Sequence, residues 1–467
     1  MVKLLTVSIA LALSVSGCTV GPKFVQPKID VPKQFDQSAE LASNPLSTRT
    51  FEAFGSPSLD ALIDAALTRN TTLKQALARL DEARAYRGLT KYSLFPTVTA
   101  NAEQNRQRAS NQDPQAPPGL GVSESTDVGA DVIWEIDLFG SLRNQSAAVV
   151  LRAQAAESAF NDVKRVIVAE AAQAFFGAIG ARERLAITQR NLVNLQENER
   201  IANALVDAGR GTDLDLSRAK SLRLSTAAQV PQQRAELVRQ ELRLATLTAQ
   251  PVLAVRTQLD KQTQFPELAK LVGTGTPSDW IKRRPDIQTA ELNLRAALRD
   301  VGTQKAEYFP KLTLLGGFGS VANSGGDVFG SGTTRWRFGP SISWQFLNFG
   351  RVGQYLQAEE AQARGFEAAY QESVLRALEE VEGALANFRA AQESTVALAE
   401  AAAEAEKARS LSQLRFDAGA SDFLVVLDAQ RQKLSLDDQL IQSQTARANA
   451  LSVLYKALAG DFVQAAP

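Results

Sequence analysis

The second half of this chain repeats the first about 210 positions later. Trp134-Glu135-Ile136-Asp137-Leu138-Phe139-Gly140 returns as Trp344-Gln345-Phe346-Leu347-Asn348-Phe349-Gly350. Asp207-Ala208-Gly209 returns as Asp417-Ala418-Gly419, and the match runs on without a gap through Leu214/Leu424, Ala219/Ala429 and Leu224/Leu434. Phe95-Pro96 returns as Phe309-Pro310, four positions out of step. Such a repeat demands two equivalent units built on one plan, so a reading of either unit can be checked on the other.

Within each unit the hydrophobic period changes twice. Helical spacing covers residues 58–94, with a break near Asn70, and stops at Pro96. Residues 97–105 and 126–134 lose that spacing and read as short strands around a Pro/Gly/Asn-rich loop. Residues 311–320 and 335–344 repeat them around a Gly/Ser loop. Each strand has about the nine to eleven residues that cross a bilayer in an outer-membrane barrel. Pro340 lies inside the last of them and predicts a local bulge. Then come residues 141–208 and 351–418, both free of proline. At about 1.5 Å per residue each makes a rod of roughly 100 Å, which tunnels and coiled coils need and globular cores do not. Both rods end at glycine, Gly209 and Gly419, and both restart at an N-cap former, Thr212 and Asp422. Returning helices run to about Ala249 and Leu458, and residues 251–276 between the units read as irregular.

Composition narrows the chemistry. Basic and acidic residues balance at 51 each, which leaves no footprint for nucleic acid. Histidine is absent, the one methionine is the initiator and there is one cysteine, so most nucleophile–base pairs and soft-metal sites are excluded. No metal site, catalytic residue or cofactor is expected. The acids read as solvated rod faces, and the chain is not expected to be an enzyme. The cysteine closes a cationic start (Met1-Val2-Lys3), an apolar core and the small residues Val15-Ser16-Gly17. Val-Ser-Gly-Cys reads as a lipobox, which makes residues 1–17 a signal peptide and Cys18 a lipidated first residue. Residues 18–56, rich in Pro, Ser and Thr, read as an extended arm. The first repeat unit then spans 57–276 and the second 277–467.

Four strands cannot close a barrel, and an open sheet edge is not tolerated in lipid. Two copies would supply eight strands and three would supply twelve; the wider barrel matches a tunnel walled by twelve long helices. Phe95, Trp134, Phe309 and Trp344 all fall at the helix-side ends of their strands, as an interfacial aromatic girdle would. The fold class read here is mainly α with a transmembrane β-barrel. A lipid-anchored periplasmic coiled-coil scaffold without a pore is the alternative.

The chain resembles the TolC-like outer-membrane factor family in its lipoprotein (OprM/NodT-like) branch. The likeness rests on Gly17-Cys18-Thr19-Val20-Gly21-Pro22, Trp134 to Gly140, Arg284-Pro285-Asp286-Ile287, Tyr308-Phe309-Pro310 and Leu427-Asp428-Ala429-Gln430. It implies a homotrimer with a twelve-stranded outer-membrane β-barrel continued by a periplasmic α-helical barrel and an equatorial region. It also implies a passive exit duct for small molecules, partnered by a periplasmic adaptor (membrane fusion) protein and an inner-membrane pump of RND type. Leu424 and Asp428 match residues that constrict the tunnel end in that family. Arg210 and Ser421, with the turn glycines Gly209 and Gly419, would face the adaptor. From the residues themselves, Asp213 and Asp215 suit the first turn of a helix, and Asp215 and Arg218 are spaced for an i,i+3 ion pair. Asp428 lies beyond the first turn, where neither capping nor the helix dipole explains it.

Overall fold

A computed structural model describes residues 19–36, 54–108, 110, 112, 122–262, 265, 266, 268, 276–323 and 328–458. In chain order the elements are α1 (Pro57–Arg69), α2 (Thr71–Leu89), β1 (Thr97–Arg108), β2 (Val122–Ile136), α3 (Ser141–Asp207), α4 (Asp213–Thr248), α5 (Val252–Leu259), α6 (Pro277–Arg283), α7 (Pro285–Ala306), β3 (Lys311–Ala322), β4 (Thr334–Ser343), α8 (Phe349–Asp417) and α9 (Phe423–Ala457). The two rods are helices of 67 and 69 residues. The segment expected to be irregular holds the helix α5, whose Val255 and Leu259 are buried. Eight residues are too few for helical period to stand out in the sequence.

The chain forms two compact units, and each draws on both sequence repeats. One comprises Met1–Lys28, Arg79–Glu157 and Thr289–Gln371; the other comprises Ile29–Ala78, Ser158–Gln288 and Glu372–Pro467. The first unit contains the sheet. Its four strands are antiparallel in the order β1-β2-β3-β4, so β1 and β4 are both free edges. The pairing of β3 with β4 runs unbroken from Lys311↔Ser343 to Ser320↔Thr334, with Pro340 opposite Leu314. The bulge expected at Pro340 is therefore not formed. Proline is tolerated there because β4 is an edge strand. β1 and β2 run further into the loop than their apolar residues suggest. The extension is held by pairing, and the Arg106–Glu124 ion pair at 3.1 Å joins the two strands within it.

Alternation along the strands sorts the sheet into two faces. Val98, Val128, Val132, Phe318, Phe338 and Ile342 share one face, and Phe318, Phe338 and Ile342 are all more than two-thirds exposed. The other face carries Thr99, Asn101, Asp127, Asp131, Arg335 and Arg337. There Arg335 Nη2 donates to Asp127 Oδ1 at 2.6 Å and Arg337 Nη2 to Asp131 Oδ1 at 2.9 Å. Both arginines reach from β4 across β3 to β2. Gly317 makes this reach available: it pairs with both Asp131 and Arg337, and a Cβ on it would lie 2.7 Å from Asp131 Oδ1. At the helix-side end, the repeat survives as a matched pair of hydrogen bonds. Trp134 Nε1 donates to the Leu94 carbonyl at 3.0 Å and Trp344 Nε1 to that of Tyr308 at 3.1 Å. Phe139 stacks on Phe309 at 4.5 Å beside them.

The second unit holds the main apolar core. Leu59, Leu62, Ile63, Phe175, Phe176 and Leu451 are among its fully buried members. Asn70, placed at the break in the first helical stretch, ends α1 and starts α2. Its Oδ1 accepts from Leu73 N at 3.0 Å and its Nδ2 donates to the Leu247 carbonyl at 2.8 Å. The end of α9 is closed by two arginines. Arg284, 2% exposed, donates to the Ala457 carbonyl, to both oxygens of Asp286 and to Glu380; Arg165 donates to the Lys456 carbonyl at 2.6 Å. Burial alone would raise the Asp286 carboxyl. The hydrogen bonds and charge of Arg284, with Arg165 behind, outweigh it and hold that pKa below the usual range.

Candidate functional site

The two hairpin turns of the second unit are built alike. Gly209 and Gly419 adopt φ of +65° and +69°, the left-handed conformation that favours glycine. Gly209 N donates to Val206 O and Gly419 N to Phe416 O, both at 2.9 Å; Arg210 N reaches Leu205 O and Ala420 N reaches Arg415 O, both at 2.8 Å. These bonds satisfy the last carbonyls of α3 and α8.

The helices that follow restart differently. Thr212 closes a capping box: its hydroxyl accepts from Asp215 N, and the Asp215 carboxylate accepts from Thr212 N and Oγ1. Asp422 occupies the same place in extended conformation but makes no side-chain cap bond. The third helical residue there is Val425, which cannot reach back, and its N–H goes to the Asp422 carbonyl instead. The expected Asp215–Arg218 ion pair is not formed, because the capping box already engages that carboxylate. Arg218 makes no ion pair with any described residue, and Asp213 stands exposed in the first turn.

Along the start of α9 the side chains divide cleanly. Phe423, Val426 and Leu427 are buried in a cluster with Ala202 of α3 and Ala219 of α4, and Phe416 of α8 packs its ring 5.2 Å from that of Phe423. Leu424, Asp428 and Arg431 share the opposite, exposed stripe, at helical spacings of four and three. Arg431 Nη2 donates to Asp428 Oδ1 at 2.7 Å, with both side chains about 70% exposed. The sequence reading missed this partner, although the i,i+3 spacing is visible. An exposed pair of this kind contributes only about 0.3–0.5 kcal/mol. Ser421, between the turn and α9, keeps a buried hydroxyl without a hydrogen-bond partner.

Apolar packing at the tip is light. Among the described residues its cluster has five buried side chains, whereas the main core has twenty-seven. Between the two, ion pairs join the helices beside buried apolar side chains such as Leu195 and Ile441: Arg184 to Asp438 at 2.6 Å, Lys433 to Glu406 at 3.5 Å, and Arg223 to Glu199. The Arg409 hydrogen bonds, opposed by slight burial and aided by the charges of Arg409 and Lys433, lower the Glu406 pKa to about 2. A polar cavity of about 770 Å³ lies in this stretch, and the buried Nδ2 groups of Asn191 and Asn198 in its lining have no partner. A helix bundle with a firm core at one level and few apolar contacts at its turns separates most easily at those turns.

The architecture fits known proteins along nearly its full length. The sequence profile of the family described as "Outer membrane efflux protein" matches residues 62–250 and 276–460. The chain belongs to the outer membrane efflux protein family. Outer membrane protein OprJ of Pseudomonas aeruginosa is 30% identical over 462 residues, covering 97% of this chain and 95% of that protein. Solvent efflux pump outer membrane protein SrpC of Pseudomonas putida is 29% identical, covering 96% of each. The solved outer-membrane channel OprN superposes with a TM-score of 0.89 at 33% identity, over 95% of this chain and 99% of that one. The open-state MtrE channel of Neisseria gonorrhoeae gives 0.85 at 29% identity, over 95% and 98%.

As a member of this family the chain is an outer-membrane efflux channel component, not an enzyme. It has the fold of the trimeric TolC-like channels, in which a β-barrel is continued by an α-helical barrel. No helix among the described residues is long and apolar enough to cross a membrane, and none of them form a group of His, Cys, Asp or Glu that could hold a metal. Cys18 lies outside the described residues.

Proposed function

We propose that three copies of this chain close one twelve-stranded barrel and form a passive exit duct for small molecules. An inner-membrane pump of RND type and a periplasmic adaptor hand the cargo over. The observation that carries this reading is the four-stranded sheet, apolar and exposed on one face, polar on the other, and unpaired along both edges. Lipid forbids such edges, and pairing β4 of one copy with β1 of the next removes them. Cys18 carries the lipid that anchors the chain to the outer membrane. The turns around Gly209, Arg210, Gly419 and Ser421 receive the adaptor, and the matched left-handed glycines of the two turns support a docking surface of one shape at both.

Leu424 and Asp428 close the duct at rest. Their shared exposed stripe on α9 supports this role, as does the light apolar packing beneath it. The expected phenotype of Leu424→Ala with Asp428→Ala is a larger single-channel conductance in planar bilayers and weaker block by divalent cations. A folded trimer with unchanged conductance and cation sensitivity would place the constriction elsewhere.

A further inference from the structure

The N-terminal arm enters the first unit at the helix-side end of the sheet. Val20 N donates to the Phe139 carbonyl at 3.2 Å, and Asn144 Nδ2 donates to the Val20 carbonyl at 2.9 Å. Phe139 lies just beyond the end of β2 and stacks on Phe309, one of the interfacial aromatics. Further on, the arm crosses α7 so closely that a Cβ on Gly21 would stand 2.8 Å from the Gly302 Cα. These contacts fix the arm at the depth of lipid headgroups.

Between the arm, α3 and α7 is a cavity of about 490 Å³, whose lining includes Thr19, Lys23, Asn144, Leu151, Arg295 and Arg299. Among the described residues its charged lining is entirely basic. Arg295 lies over the Phe24 ring at 4.5 Å and is balanced by Glu291, 3.2 Å from its Nε. Lys23 and Arg299 have no such balance. Arg299 Nη1 donates to the neutral Asn144 Oδ1 at 3.3 Å, and neither cation makes an ion pair with a described residue. The arginines on α3 beside them differ: Arg143 engages Asp137 at 3.0 Å, and Arg152 engages Asp300. Asn144, buried and tied to Val20, holds the Arg299 guanidinium in place and leaves its other donors free.

We propose that this cavity binds the phosphate of a glycerophospholipid whose headgroup carries no other charge, of the phosphatidylglycerol type. A guanidinium matches two phosphate oxygens at once, and an ammonium adds a compact charge beside it. Basic pockets between helices at a membrane surface take lipid headgroups in this way. The lining offers no carboxylate to receive an ammonium group, which selects against phosphatidylethanolamine. This deepens the anchor reading given above, because Thr19 follows Cys18 directly and the bound lipid and the acyl group hold the arm at one level.

The test is native mass spectrometry of the full-length protein in detergent with phosphatidylglycerol or phosphatidylethanolamine of matched chains. The parent should retain phosphatidylglycerol preferentially. Lys23→Gln and Arg299→Gln should each lower that retention about fivefold. Both side chains are exposed, so these variants keep the fold. Arg351→Gln removes the same charge from α8 outside the cavity and should leave retention unchanged. Equal retention of the two lipids, or equal losses from Arg351→Gln and Arg299→Gln, would overturn the site in favour of general attraction to charge. Displacement of the lipid by inorganic phosphate at constant ionic strength would reveal a free-anion site and overturn the lipid assignment. Retention is counted per copy. A monomer or an unmodified Cys18 in the same spectrum therefore faults the assembly or the anchor, while the lipid comparison still decides the site.

Discussion

Thr212 and Asp422 occupy one repeat position and carry different weight. Thr212 exchanges bonds with Asp215, whereas Asp422 makes no side-chain cap bond. Thr212→Ala should therefore cost about 1 kcal/mol locally, and Asp422→Ala about 0.5 kcal/mol or less. Hydrogen exchange of the amides following each turn measures both, and equal effects would refute the difference. Glu406 gives a second residue-scale expectation. Its folded pKa of about 2 lies below the unfolded value near 4.3, so the stabilisation is complete above the unfolded value and is lost as pH falls toward 2. The melting-temperature gap between the parent and Glu406→Gln should be widest above about pH 5 and close on acidification. A gap independent of pH would assign the effect to packing.

At the scale of elements, the sheet combines two demands that a propensity scale cannot separate. Valine is the better strand former than glycine, so Gly317→Val and Gly339→Val look equally favourable from sequence. The structure separates them. A Cβ at Gly317 meets Asp131 and Arg337, whereas at Gly339 it meets nothing within 4 Å. Gly317→Val should disrupt the Arg337–Asp131 pair and reduce the heat-stable oligomer on semi-native gels, while Gly339→Val should not. Equal yields from both variants would show that the bridge over β3 has no part in forming the barrel. The two rods were legible because their signal is strong: no proline over nearly seventy residues and paired glycine stops. α5 and the outer reaches of β1 and β2 were not, since short or polar segments take their conformation from what they pair with.

For the whole molecule, stoichiometry decides whether the sheet edges are satisfied. Native mass spectrometry in detergent should give a trimer as the main species, each copy starting at an acylated Cys18. A stable monomer, or an unmodified Cys18, would contradict the assembly or the anchor respectively. The efflux role was legible because the repeat, the strand pairs and the lipobox-like start each narrow the architecture before any side-chain geometry is needed.

Sequence alone determined the duplication, the order and length of the rods, the positions of their turns and the absence of histidine and of any methionine beyond Met1. Those properties depend on local spacing and residue type, which the chain carries whether folded or not. Only the tertiary structure decided which polar groups meet. It sent Arg284 to the end of α9 and laid Arg335 and Arg337 across two glycines in β3, Gly319 and Gly317. Each of these choices is a competition between partners at hydrogen-bonding distance. Its outcome depends on backbone placement within a few tenths of an ångström, which spacing along the chain does not encode.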